Sequence, residues 1–549
     1  MKLQTRRMLV PLILLSAALA RSASSQPAEQ VQISVDATCT AGKLDPFWAS
    51  QIIHPTESLL TDPGKRLLRL MAETGAARQN IRIYNQPEEA IRIGPDGKIT
   101  YDWQRFDEMA ALILATGNKL KVVFFAMPYE LAAYPEALKK RPNGAKLCIS
   151  PPKDYQQWEA LCADFTRHVI SKYGIDEVQQ WTFRCWNEPD LAGFWRKGDL
   201  AEYLKLYDYF AKGVKGVSSG IPIGGPALSG TKTYKEPENF RLFLEHVVNG
   251  VNHATGEKGS PVDFLAIHTY GGSSAGGGPG RDYPDADYMI EQQLRCADMR
   301  DAYPRLKGMP IHVEEWGESS GGTKGVSDKP SADIRNSQYG AAFLTAWVER
   351  HIRLRQEGDR QIGHFTFCGS GYEKPPLHDF MGYRTLDTLN GFHKPILNAY
   401  TLLNKLASGI VPVETAPSGG HVSAFATRDA NRVTVVVTHY RPDRIDNAGE
   451  ACPVKLKIAS PWPPDAKVTL NHWRIDSDHS NAYSAFKALG SPEHPTPEQL
   501  AAVKKRMGLE LLEPARQMTS AGGSGLTFEL PCNAVSLIEM ICTNEGNIE

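Results

Sequence analysis

Two carboxylate-bearing segments could do chemistry. Trp186-Asn187-Glu188-Pro189-Asp190 and Glu314-Glu315-Trp316-Gly317-Glu318 each end an apolar, strand-like run, and His268-Thr269-Tyr270-Gly271 ends a third between them. Two opposed carboxyl groups can cleave an acetal: one protonates the leaving oxygen, and the other attacks the carbon or activates water. Aromatic rings beside them offer flat apolar faces to sugar rings. Each residue also has a plainer explanation. Glu188 could be a salt-bridge partner, and His268 and Tyr270 a hydrogen-bonded core pair. Glu314 and Glu318 compete with Glu315. Successive strand residues face opposite sides, so Glu314 and Glu315 are not expected to share a centre, and the position before Trp316 favours Glu315.

The elements that must bring these residues together alternate strand with helix. Strand-like runs lie at Trp48–Ile53, Asn80–Tyr84, Leu120–Met127, Gln180–Trp186, Ile221–Pro226, Val262–Tyr270, Pro310–Trp316 and Gly363–Cys368. Between them, stretches such as Phe106–Ala115 and Leu200–Val217 carry apolar residues at helical spacing. The pattern predicts an α/β fold, a (β/α)8 TIM barrel, in which functional groups gather at the C-terminal ends of the strands. No Gly-rich phosphate loop follows the first strand, against a dinucleotide fold. Gly271–Gly280 reads as a rim loop. After Leu406 short strands separated by Gly, Pro and Asp turns predict an all-β sandwich, and Thr496-Pro497-Glu498 opens a helix within it. The expected organisation is a leader over 1–25, a barrel over 26–406 and a sandwich over 407–549.

Composition limits the partners. Lys plus Arg number 61 against 62 Asp plus Glu, which gives no field for nucleic acid or an anionic membrane and suits a neutral ligand. Lys2, Arg6 and Arg7 precede the apolar run Met8–Ala20, and Ala18-Leu19-Ala20 has the small-x-small form of a cleavage site. These features predict a signal peptide and a secreted or periplasmic protein. The nine cysteines show no metal-ligand spacing, so no metal site is expected from them. Their odd number leaves at least one thiol unpaired within the chain.

The segment QWTFRCWNEPDLAGFW resembles the acid/base segment of glycoside hydrolase family 39, the β-xylosidases and α-L-iduronidases of clan A. HVEEWGESS resembles its nucleophile segment, AIHTYG its sixth-strand segment and IRIY its second. LNGFHKPILNAYTLLNKL and RIDSDHSNAYSAFKALGSPEHPTPEQ extend the resemblance over nearly the whole mature chain. It implies Glu188 as acid/base, Glu315 as nucleophile, Asn187 as the ligand of the sugar 2-hydroxyl, and His268 and Tyr270 in contact with the sugar or the nucleophile; Trp316, beside Glu315, is the aromatic expected against the substrate. Arg82 would lie beneath the nucleophile, holding a carboxylate ionised. Departures fall at Tyr84, where iduronidases carry His, at FWASQIIHPTESLL, and between Cys368 and Gly391.

The expected function is therefore a retaining, exo-acting glycoside hydrolase acting on oligosaccharides. β-Xylosidase comes first and an arabinosidase or uronidase second. No metal or organic cofactor is required, because the two carboxylates supply both proton and nucleophile. Arg384 and Lys374, after the eighth strand, are the cations a uronidase would need for its substrate's carboxylate; a neutral sugar is expected instead. A non-catalytic sugar-binding barrel has no need of two opposed carboxylates. An endo-acting glycanase would require an open cleft, whereas the stretches 271–287 and 317–333 suggest a walled pocket.

Overall fold

The computed structural model describes residues 30–543 apart from 97, 142–143, 231–236, 274–281, 368–377 and 418–419. The expected leader, Cys368 and Lys374 lie outside the described residues, as does most of the Gly-rich run.

Eight parallel strand positions close on themselves. In order they are Ser50–Ile52, Asn80–Tyr84, Lys119–Phe124, Thr182–Cys185, Ile223–Leu228, Phe264–Tyr270, Ile311–Gly317 and a split eighth, Ile362–Gly363 with Thr366–Phe367. Thr366 pairs with Ser50 to complete the ring. A helix follows each strand, the longest being Tyr155–Tyr173, Leu200–Val217 and Gln338–Glu357. Local chemistry sets their ends. Asp154 and Asp199 accept hydrogen bonds from first-turn amides of the helices they precede. Gly174, at φ +83°, provides the left-handed backbone at the first helix's end.

Two sheets form the sandwich, antiparallel apart from one parallel pairing in the first. One contains Val413–Ala416, Val31–Asp36, Cys452–Ala459 and Gly525–Leu530. The other is centred on Val422–Arg428, Arg432–His439, Val535–Cys542 and Lys467–Ile475. Val31–Asp36 falls within the range assigned to the barrel, yet its partners are all sandwich strands: it runs parallel to Cys452–Ala459 and antiparallel to Val413–Ala416. Its alternating burial, with Val31, Ile33 and Val35 inward, marks it as a half-buried strand without revealing its partner. The chain thus starts in the sandwich, passes through the barrel and returns.

The helix Gln338–Glu357 is buried around most of its circumference, as a helix between two layers must be. Thr438 Oγ1 in the sandwich donates to its Thr345 Oγ1 at 2.8 Å, and the Tyr339 and Tyr440 hydroxyls meet at 3.2 Å. The helix Pro497–Lys504 begins with a capping box on Thr496 and Gln499. All eight cysteines among the described residues are free thiols.

Candidate active site

Strand four delivers Glu188 through a distorted turn. Trp186 and Glu188 have positive φ, 62° and 47°, a conformation non-glycine residues adopt only where surrounding contacts enforce it. Here Glu188 N bonds to Ala227 O at 3.1 Å. Asp190 accepts from Ser229 N at 3.0 Å and Ser229 Oγ at 2.7 Å, tying the turn to strand five. Burial raises the Asp190 carboxyl to about 6. Strand six presents His268 and Tyr270 on one face, by alternation.

Strand seven breaks the alternation. Its pairing with strand six runs Ile267 to Val313 and then His268 to Glu315, so Glu314 has no residue opposite. This β-bulge turns both glutamates inward, at different depths, a re-aiming typical of bulges beside active sites. Strict alternation would have sent them to opposite faces. Glu314 reaches Lys121 on strand three. Glu315 points into the mouth, where Arg82 Nη1 donates to its Oε1 at 2.9 Å and Tyr270 Oη to its Oε2 at 2.7 Å. His268 Nδ1 is 3.0 Å from Glu188 Oε1 and 3.6 Å from Glu315 Oε2. An oxygen from each glutamate and a ring nitrogen of His268 all lie within 4.8 Å of one another. Both glutamate side chains retain 12% exposure while Arg82 and His268 beneath are at 0%, so the carboxylates are the groups presented to a ligand.

Burial pushes the Glu315 carboxyl up, but His268, Arg82, the Tyr270 hydroxyl and Arg384 outweigh it and hold it well below the usual carboxylate range. Asn187 Oδ1 accepts from Arg82 Nη2 at 2.7 Å and from Arg184 Nη2 at 3.2 Å. Its remaining polar group is the Nδ2 donor, suited to a hydroxyl oxygen. The arrangement therefore offers an anionic carboxylate, a second carboxyl beside it and an oriented donor.

Trp316 requires a correction. Expected against substrate, it is fully buried and faces outward, stacked on Trp347 with ring centroids 4.1 Å apart. With Glu315 inward, alternation points the next residue to the helices. Trp186 and Trp195 are likewise buried, packed edge to face on each other. Glu318, the third acidic residue of the motif, is engaged by Arg335 Nε at 2.6 Å. Arg384 is 9% exposed; it donates to Ser319 O and lies 4.8 Å from the Tyr270 ring.

Sequence reasoning missed Arg184, Lys121 and the inward Glu314. A signal was available: charged residues inside the apolar runs QWTFRCW and LKVVFFAM need buried partners.

The sequence matches the model of Glycosyl hydrolases family 39 over residues 31–518. The chain belongs to that family. A β-xylosidase of Caldicellulosiruptor saccharolyticus is 25% identical over 531 residues, 94% of this chain and 99% of that protein. An α-L-iduronidase of Mus musculus is 23% identical, covering 93% and 81%. The crystal structure of a monomeric β-xylosidase from Caulobacter crescentus CB15 matches with a TM-score of 0.77 at 25% identity, over 93% of this chain and all of that one. The protein is thus a family 39 glycoside hydrolase with a carbohydrate substrate. No helix among the described residues is long and apolar enough to cross a membrane.

Among the described residues one further cluster has metal-ligand spacing, Asp208, His246 and His253. Its carboxylate accepts from His246 Nε2 at 3.0 Å, His253 N at 2.7 Å, His253 Nδ1 at 2.8 Å and the Ser260 hydroxyl. These donors satisfy it without an ion.

Proposed function

We propose that this family 39 enzyme is a retaining, exo-acting glycosidase in which Glu315 is the nucleophile and Glu188 the acid/base. The observation that carries this reading is the spacing of the pair, with oxygens within 4.8 Å through His268. Retaining pairs stand about 5–5.5 Å apart, whereas inverting pairs need roughly 6.5–9.5 Å to admit a water. Glu188 protonates the leaving oxygen as Glu315 attacks the anomeric carbon; it then takes a proton from the water that releases the sugar. Asn187 Nδ2 contacts the sugar beside the reacting carbon, and Arg82 holds Glu315 in place.

The proposed substrate is a terminal β-linked xylose, supported by the β-xylosidase relatives at 25% identity over nearly full length. The iduronidase likeness, at 23% identity, makes a uronide the second reading. The residues 26–406 and 407–549 serve as catalytic and supporting units, with Val31–Asp36 contributed to the latter. The basic and apolar start of the sequence supports export to the periplasm or medium.

A panel of aryl xyloside, arabinosides, glucoside, galactoside, fucoside and iduronide, with the first product followed by NMR, tests the reading. β-Xyloside cleavage releasing β-xylose first is expected. Release of the α anomer first rejects retention, and cleavage of iduronide alone replaces the substrate.

A further inference from the structure

Beneath the two carboxylates the barrel encloses a second layer of charge. Lys121 and Arg184 are each 1% exposed. From strand three, Lys121 Nζ spans the interior to Glu314 Oε1 at 3.0 Å, His364 O at 2.9 Å and Thr366 Oγ1 at 3.1 Å. Arg184 Nε stands 3.5 Å from Glu314 Oε2, and its Nη2 reaches Asn187. Arg82 Nη1 is shared between the Glu314 carbonyl and the Glu315 carboxylate, each at 2.9 Å. An unbroken chain of contacts therefore joins Lys121 to the residue that attacks the sugar.

The composition of this layer is informative. Arg82, Lys121 and Arg184 face Glu314 and Glu315, leaving one positive charge in excess. Buried ion pairs add little stability over apolar replacements of similar size, so stability alone gives no reason for the layer. Charges interact strongly over several ångströms where water is excluded.

We propose that Lys121 and Glu314 are positioning residues for glycosyl transfer, Glu314 anchoring Arg184 and Arg82 while the pair sets the net charge beneath Glu315. The proposal rests on Glu315 being the nucleophile. In the first step the bond from the anomeric carbon to the leaving oxygen breaks and a bond to a Glu315 oxygen forms. Glu188 passes its proton to the leaving oxygen, and Glu315 loses its negative charge. In the second, water attacks the anomeric carbon and yields a proton to Glu188, and the electron pair returns to Glu315. Positive charge beneath Glu315 favours its departure and opposes its attack. Removing Lys121 charge therefore speeds the first step relative to the second, and removing Glu314 charge does the reverse.

The other titratable or charged groups facing Glu315 and this layer are the same residues in every variant: Arg82 and Tyr84 on strand two, Arg184 and Glu188 on and after strand four, His268 and Tyr270 on strand six, His312 on strand seven, His364 within the split eighth strand and Arg384 after it. The test uses the full-length chain as Lys121→Met, Glu314→Gln and the double variant, with an activated aryl glycoside that the wild type cleaves. The acidic limb of kcat/KM should rise by about one pH unit in Lys121→Met, a tenfold loss at a fixed acid pH, with a larger pre-steady-state burst of aryl alcohol. Glu314→Gln should move the limb and the burst in the opposite direction, and the double variant should restore both. If Glu314→Gln does not fold, Lys121→Met and the double variant decide the matter alone. Shifts of the same sign in both single variants, or a lower kcat with an unmoved limb and burst, overturn the proposal. Activity surviving in Glu315→Ala instead overturns the nucleophile assignment, which separates the two failures.

Discussion

The Trp316 indole stacks on that of Trp347, with planes 19° apart, so the residue following Glu315 belongs to the contact between barrel and helix. Trp316→Ala should therefore cost stability, about 3–5 kcal/mol as for other buried aromatic truncations, measured by urea unfolding. Trp316→Phe should recover most of that with KM unchanged. A raised KM at full stability would put the indole against the sugar.

Much of the architecture was legible before the structure. Asn80–Tyr84 and Leu200–Val217 appear with the bounds their apolar periodicity gave, and all eight barrel strands overlap the apolar runs read from the sequence. What escaped depended on distant partners. Val31–Asp36 reads as a strand, but its neighbour is more than four hundred residues away in sequence. The bulge at Glu314 follows from register against strand six, and nothing local in HVEEWG encodes that register. The oversight of the inward Glu314 comes from this bulge; the misplacement of Trp316 does not, since alternation from an inward Glu315 already turns the next residue outward.

Acid should reveal the buried carboxylates. Burial raises Glu314, yet Lys121, Arg184 and Arg82 bring it down to about 2, and Glu315 is likewise held low. Both folded values lie below the unfolded value near about 4.3. Their contribution to stability is therefore complete above that pH and is lost as pH falls towards the folded values. Each adds a slope of about 1.4 kcal/mol per pH unit in that window. Urea titrations between pH 6 and 3 should show a shallower acid loss in Glu315→Gln than in wild type; an unchanged slope would contradict the lowered carboxyl.

Truncation after Leu406 should prevent folding. It removes both strand partners of Val31–Asp36 and the Thr438 and Tyr440 contacts to the helix Gln338–Glu357. Insoluble or protease-sensitive protein is expected in expression and limited proteolysis. A soluble, fully active fragment would make the sandwich a detachable module.

Arg384 should matter for neutral sugars. It is engaged with Ser319 O and the Tyr270 ring, and Tyr270 in turn holds Glu315. Arg384→Ala is expected to lower kcat/KM for a neutral aryl glycoside by about tenfold, equivalent to about 1.4 kcal/mol in the transition state. Loss confined to uronides would assign Arg384 to a substrate carboxylate.

The paired roles of Glu188 and Glu315 are tested most directly by azide rescue of their alanine variants on an activated aryl β-glycoside. Glu188→Ala should still form the glycosyl-enzyme, because the aryl group leaves without protonation, but should turn it over slowly. Azide should restore turnover and give the β-glycosyl azide, the product of two displacements. Glu315→Ala should be inactive, with any azide product of the α configuration from a single displacement. A β-azide from Glu315→Ala together with an α-azide from Glu188→Ala would exchange the two roles and contradict the account.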